Sequence, residues 1–125
     1  MTTHSRPSSY QRSPELPIRL EGKFRPWRYG LTHSRLELRS FGPGPSQISV
    51  KFFGVVAMQM KTVFRPLILS AADSDQRDEL ASISGMEESS FSRAHCLVLS
   101  STGRDSLIAC IGYGIGFHPE GFDLE

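Results

Sequence analysis

The chain is 125 residues long, 38% hydrophobic and 22% charged, the size of one globular domain; this excludes a wholly disordered chain and separate cofactor and substrate domains. No apolar run approaches the roughly 18 residues of a membrane span, and the N-terminus lacks the apolar stretch of an export signal. A net charge of +1 hides a split: residues 1–40 carry eight Lys/Arg against three Glu, a net of +5, and the remainder carries six basic residues against ten acidic, a net of −4.

Residues 1–20 are rich in Ser, Thr, Pro, Arg and Gln, with Pro7, Pro14 and Pro17 spaced through them. Their apolar side chains are too sparse to offset the entropy of ordering, so a flexible tail is expected, followed by a single α+β domain over residues 21–125. That tail would take a net charge of +2, leaving −1 on the domain, which argues against a polyanion partner. From Phe24 the texture changes. Phe24, Trp27, Tyr29 and Leu31 lead into the alternating run Arg35-Leu36-Glu37-Leu38-Arg39, the pattern of a half-buried strand, with Thr32-His33 as the hairpin between. Gly42-Pro43-Gly44-Pro45-Ser46 breaks the chain.

The stretch from Gln47 to Phe52 alternates again, with Ile48, Val50 and Phe52 on one face. After Gly54, Val55 to Met60 forms another expected strand, with Val56, Met58 and Met60 sharing a side. Leu67-Ile68-Leu69 fits a short strand covered on both faces. Ala72-Asp73-Ser74-Asp75 supplies helix-capping residues and first-turn negative charge. Gln76 to Ile83 is then helical, with Leu80, Ile83 and Met86 on one side and Gly85 as the stop. Ala94 to Ser100 and Ser106 to Phe117 complete the set as two strands joined by the turn over residues 101–105. The fold class is therefore α+β, mostly antiparallel β with about seven strands and one helix packed on the sheet.

Few residues carry chemistry. His33, His95 and His118 show no short ligand spacing, and His95, Cys96 and His118 would meet only if the last two strands pair. Cys96 and Cys110 would face each other across a hairpin centred on Gly103; the preferred reading is two buried thiols acting as small apolar side chains. A reducing cytosol is the simplest setting for two such cysteines. There is no Gly-x-Ser-x-Gly elbow, and Glu87-Glu88 is read as solvated surface. No catalytic residue, metal or cofactor is expected.

Two stretches stand out as surfaces. Ile111-Gly112-Tyr113-Gly114-Ile115-Gly116-Phe117 puts three glycines on one strand face, a trough for a backbone, a ring or a ligand. The plainer reading is a glycine face covered by Trp27 or another bulky side chain of the same domain. Lys23-Phe24-Arg25-Pro26-Trp27-Arg28-Tyr29 interleaves cations and rings. Single-stranded nucleic-acid platforms and protein-interface hot spots share that composition, as does a first strand with its aromatics inward and its arginines outward. Arg25, Trp27, Arg28, Tyr29, Gly112, Gly114 and Gly116 are the candidate partner-binding residues.

Phe-Arg-Pro-Trp-Arg-Tyr over residues 24–29, the His33-Ser34-x-Leu36-x-Leu38-Arg39 strand and Val50-x-Phe52-x-Gly54-Val55 through Leu67 resemble small bacterial domains similar to immunity proteins of polymorphic-toxin systems. The resemblance implies a cytoplasmic single-domain binder that occludes a cognate toxin, and it transfers no catalytic residue. The expected function is thus a non-catalytic protein-interaction domain in the cytoplasm. The alternative is a small-molecule or single-stranded nucleic-acid module using the glycine-faced strand 111–117, with Tyr29 or Trp27 as a stacking lid. Pairing of two copies through an open sheet edge is a third possibility.

Overall fold

Alternating side chains build ten strands and one helix among the described residues, in the order β1 (Ser9–Arg12), β2 (Ile18–Leu20), β3 (Lys23–Gly30), β4 (Arg35–Phe41), β5 (Gln47–Phe53), β6 (Ala57–Gln59), β7 (Leu67–Ala71), α1 (Ser74–Ser84), β8 (His95–Ser100), β9 (Ser106–Cys110) and β10 (Gly112–His118). The computed structural model describes residues 9–30, 34–42, 47–85, 91, 93–119 and 122. The strands form two five-stranded sheets, ordered β1-β10-β5-β4-β3 and β2-β7-β8-β9-β6. Every pairing is antiparallel. The class matches the expectation from sequence, and the strand count exceeds it.

The layers follow from which side chains each strand buries. Leu36, Leu38, Val50, Phe52, Tyr113 and Ile115 from the first sheet share one core with Leu67, Leu69, Leu97, Leu99 and Ile108 from the second. The other face of the second sheet, with Cys96, Val98, Leu107 and Ala109, packs against Leu80 of α1 and Phe91. Strands β8 and β9 are therefore covered on both sides, which is why Cys-Leu-Val-Leu and Leu-Ile-Ala-Cys read as continuous apolar runs. The order from outside to outside is helix, second sheet, first sheet. Among the described residues no further strand or helix packs on the other face of the first sheet, where Ser49 and Glu37 are nonetheless buried.

The helix is capped within the expected stretch, at Asp73, and starts at Ser74, two residues before the expected Gln76. The Asp73 carboxylate accepts from the Gln76 backbone N–H at 2.8 Å, and the Gln76 side chain accepts from the Asp73 N–H at 2.9 Å, a reciprocal capping box. Gly85 ends it with φ 71°, a left-handed conformation that costs glycine little. Leu80 is fully buried but Ile83 is 48% exposed, so the helix seats a narrower stripe than its sequence promised. Met86 lies outside the described residues, as do Thr32-His33, residues 43–46 and Glu87-Glu88.

Three expectations are corrected. Residues 9–20 are not a tail: β1 pairs with β10 and β2 pairs with β7, so the segment joins both sheets. Beside the backbone pairing, which apolar counting undervalues, Pro14 and Leu20 are buried, Leu16 and Ile18 pack on the core, and Tyr113 Oη donates to the Pro14 carbonyl at 3.0 Å. Residues 1–8 are outside the described set. The single strand expected over Ser106–Phe117 is two, β9 and β10, lying in different sheets. The chain changes sheet at Ile111, whose N–H donates to the Phe53 carbonyl at 2.9 Å. Finally, Met58 and Met60 pack on the core between the sheets while Val56 packs on the helix side, so these three do not share a face. The strand there is only three residues long.

Candidate basic face and its aromatic contacts

Strand register decides which side chains meet on the open face of the first sheet. Across it run the rows Arg12, Gly114, Lys51, Glu37, Arg28 and Tyr10, Gly116, Ser49, Arg39, Arg25. Opposed residues share a face, so the glycine trough of β10 and the basic stretch of β3 lie on the same surface, at its two sides. A bulge in β3 helps. Pro26 faces Leu38 and Arg28 faces Glu37, leaving Trp27 unpaired between them, so Trp27 and Arg28 both turn outward. Tyr29 pairs with Leu36 and falls in the inward phase, 40% exposed near the strand end. Six of the seven candidate residues thus share one face, and Tyr29 does not.

Among the described residues this face holds seven cations, Arg12, Lys23, Arg25, Arg28, Arg35, Arg39 and Lys51, and one carboxylate, Glu37. The helix on the opposite outside carries Asp75, Asp78 and Glu79 beside its Asp73 cap, against Arg77. Near-neutrality of the whole chain therefore conceals a basic side and an acidic side. The rings of the basic face are taken up by its cations. The guanidinium of Arg25 lies 4.7 Å from the Phe41 ring centroid, Arg35 lies 5.0 Å from Phe53, and the Lys51 ammonium 5.8 Å from Tyr10.

Arg39 is the most constrained. Its Nε donates to the Glu37 carboxylate at 2.6 Å, with side chains only 15% and 9% exposed. Its guanidinium contacts two rings, 4.8 Å from the centroid of Trp27 and 4.4 Å from that of Phe122. The Phe122 N–H donates to the Gln47 side-chain oxygen at 2.8 Å, and its ring tilts against His118 at 4.9 Å. Sequence reasoning missed Arg39 and Phe122 as a pair. Nothing in the spacing joins residues so far apart in the chain; only the rule that opposed strands share a face could have placed Arg39 beside Trp27.

The glycine face is covered, but not by the side chains proposed for it. Tyr10 crosses Gly114, and a Cβ there would overlap its phenol. A Cβ at Gly116 would come 2.7 Å from Ser49 Oγ. Trp27 and Tyr29 belong to β3, with β4 and β5 between them and β10, and provide no lid for the trough. Only Gly112 is open, with nothing within 4 Å of a Cβ. It floors a shallow pocket of about 320 Å³ with Tyr10, Arg12, Phe53 and Tyr113 at its walls.

Ser49 Oγ lies 3.0 Å from His118 Nε2, but Ser49 is fully buried, and a nucleophile there has no approach for a substrate. His95 is in the second sheet and His118 in the first, so the imagined convergence with Cys96 does not occur. Among the described residues no three His, Cys, Asp or Glu gather as a metal set. No helix among them is long and apolar enough to cross a membrane.

The cysteines do not face each other. Cys96 pairs with Ala109 and Cys110 with His95, one residue out of the register that the Gly103-centred turn required. One step flips a side chain to the other face: Cys96 packs on the helix side and Cys110 in the core between the sheets. Both are free and buried. Burial pushes the Cys110 thiol up to about 12, the nearby Cys96 adding to the effect, and burial also raises Cys96 against the opposing pull of Arg77. Neither thiol should react with Ellman's reagent in the native protein at pH 8, and both should react in guanidinium. Because the folded Cys110 value lies above the ordinary thiol value of 9.0, its contribution to stability is complete below pH 9 and is lost as pH rises towards about 12. A urea midpoint that did not fall between pH 8.5 and pH 11 would contradict this.

No family model, no curated protein and no solved structure matches the chain.

Proposed function

We propose that the protein is a non-catalytic interaction module that docks the acidic surface of a partner protein on the open face of its first sheet. The observation that carries this reading is the excess, among the described residues, of seven cations over one carboxylate on that face, with guanidinium groups held over rings. A guanidinium fixed by a ring loses less freedom when it forks onto a carboxylate. Nucleic acid is the less suited polyanion, because bases stack on open ring faces and these rings are capped by cations. A toxin occluded in the cytoplasm, the partner implied by the resemblance to immunity proteins, would meet this face with its own carboxylates.

Poly-L-glutamate serves as the probe. Binding should weaken at least tenfold between 50 and 200 mM salt, and Arg25→Glu/Arg35→Glu should weaken it at least tenfold at low salt. Asp75→Lys on the far side should not weaken it. Tighter binding of a single-stranded oligonucleotide than of poly-L-glutamate would overturn the choice of partner, and no binding of either would overturn the reading altogether. A second reading, a small aromatic anion, is favoured by the pocket at Gly112 with Arg12 on its wall. It places the ligand away from Trp27, so a change in Trp27 emission on binding would go against it.

A further inference from the structure

The basic face already holds one ligand-like group. Phe122 reaches it from beyond β10, its ring on the Arg39 guanidinium and its N–H on the Gln47 side chain. In sequence Phe122 is flanked by Glu120, Asp123 and Glu125. The site that receives it is prepared: Glu37 fixes Arg39 through its Nε, the Trp27 ring centroid also lies 4.8 Å from the guanidinium, and Trp27 itself is 47% exposed. The Gln47 bond is to backbone, so it would serve any residue in that position. Aromatic contact supplies selectivity, and the surrounding cations favour carboxylates on either side.

We infer that this site recognises an aromatic residue flanked by carboxylates in an extended segment of the partner, and that the chain's own Phe122 competes for it. The inference rests on the proposed docking of an acidic surface and names the anchor within it. Phe122 stands four positions after His118, the last residue of β10, so its tether is short. A tether of that length gives an effective concentration on the order of millimolar. If the segment binds by itself with a Kd of about 0.1 mM, it leaves the site open roughly a tenth of the time and weakens a competing peptide about tenfold. A folded partner offering the same group with further contacts to Arg25, Arg35 and Lys51 would displace it.

The test uses the full chain and a fluorescein-labelled peptide with the chain's own sequence over residues 118–125. Phe122→Ala should bind that peptide about tenfold more tightly than the unaltered protein, with a shift in the emission of Trp27, the single tryptophan. A peptide with alanine in place of phenylalanine should lose at least tenfold. Adding Gln47→Ala, an exposed position that leaves the Glu37–Arg39 pair intact, should weaken the peptide several-fold. Equal affinity of the two proteins for the peptide, or of the two peptides for Phe122→Ala, overturns the inference. If poly-L-glutamate still binds in that case, the basic-face reading stands and only the anchor falls; if it does not, both fall.

Discussion

Phe64→Ala is expected to destabilise the fold by about 3–5 kcal/mol, a large share of the roughly 5–15 kcal/mol of a domain this size. Phe64 lies outside the named strands and reads in sequence as a lone aromatic between Val63 and Arg65. It is nonetheless fully buried in the core between the sheets. Its backbone exchanges two hydrogen bonds with Phe24, at 2.8 and 2.9 Å, tying β3 of the first sheet to the segment that leads into β7 of the second. Truncation removes a ring from the point where the two sheets are stitched together, and the backbone on both sides limits collapse into the space. Val63→Ala is the control: it is 50% exposed and should change stability by no more than about 0.5 kcal/mol. Urea denaturation at constant m-value measures both. A cost below about 1 kcal/mol for Phe64→Ala would mean that the two sheets do not share this core.

Where one face of a strand is buried and the other wet, the sequence was legible. Val50 and Phe52 alternate with Ser49 and Lys51 and are buried as expected, and the Asp73-Ser74-Asp75 run announced the helix start. Legibility failed where the chain changes sheet. Ser106 to Phe117 carries no Gly-Pro break strong enough to separate β9 from β10, because Ile111 makes the corner by hydrogen-bonding back to Phe53 rather than by turn chemistry. The cysteine pairing failed for a narrower reason. Its arithmetic needed the hairpin centre to be known to half a residue, and the observed register differs by one.

The site was legible in its parts and not in its assembly. Arg25, Trp27 and Arg28 were singled out as interleaved charge and aromatic surface, and Gly112, Gly114 and Gly116 as a bare strand face. Nothing local says that β3 and β10 lie at opposite sides of the same sheet, since that depends on β4 and β5 between them. The charge arithmetic misled for a related reason. Subtracting the first 20 residues as a tail removed Arg12, which belongs to the basic face, and summing the rest averaged that face with the acidic helix behind it. Net charge describes long-range solubility and attraction; a docking surface is decided by which charges the register places side by side.

The same misread segment supplies the second large effect. Gly114→Ala is expected to cost about 1–3 kcal/mol, the range for forcing a methyl group into a filled space. A Cβ at this position would overlap Tyr10 and approach the Gln11 carbonyl oxygen to 2.9 Å, so both the ring and the β1 backbone must move. Gly112→Ala, two residues earlier on the same strand face, meets nothing within 4 Å and should cost at most a few tenths of a kcal/mol. The contrast isolates the contact from any general intolerance of side chains in β10. A double-mutant cycle then assigns it: with Tyr10→Ala, the cost of Gly114→Ala should fall by about 1 kcal/mol or more, leaving the Gln11 contact. If the two substitutions are additive, Tyr10 does not lie across Gly114. In that case the glycine trough would be open to a ligand, and the small-molecule reading would gain the space that β1 takes from it.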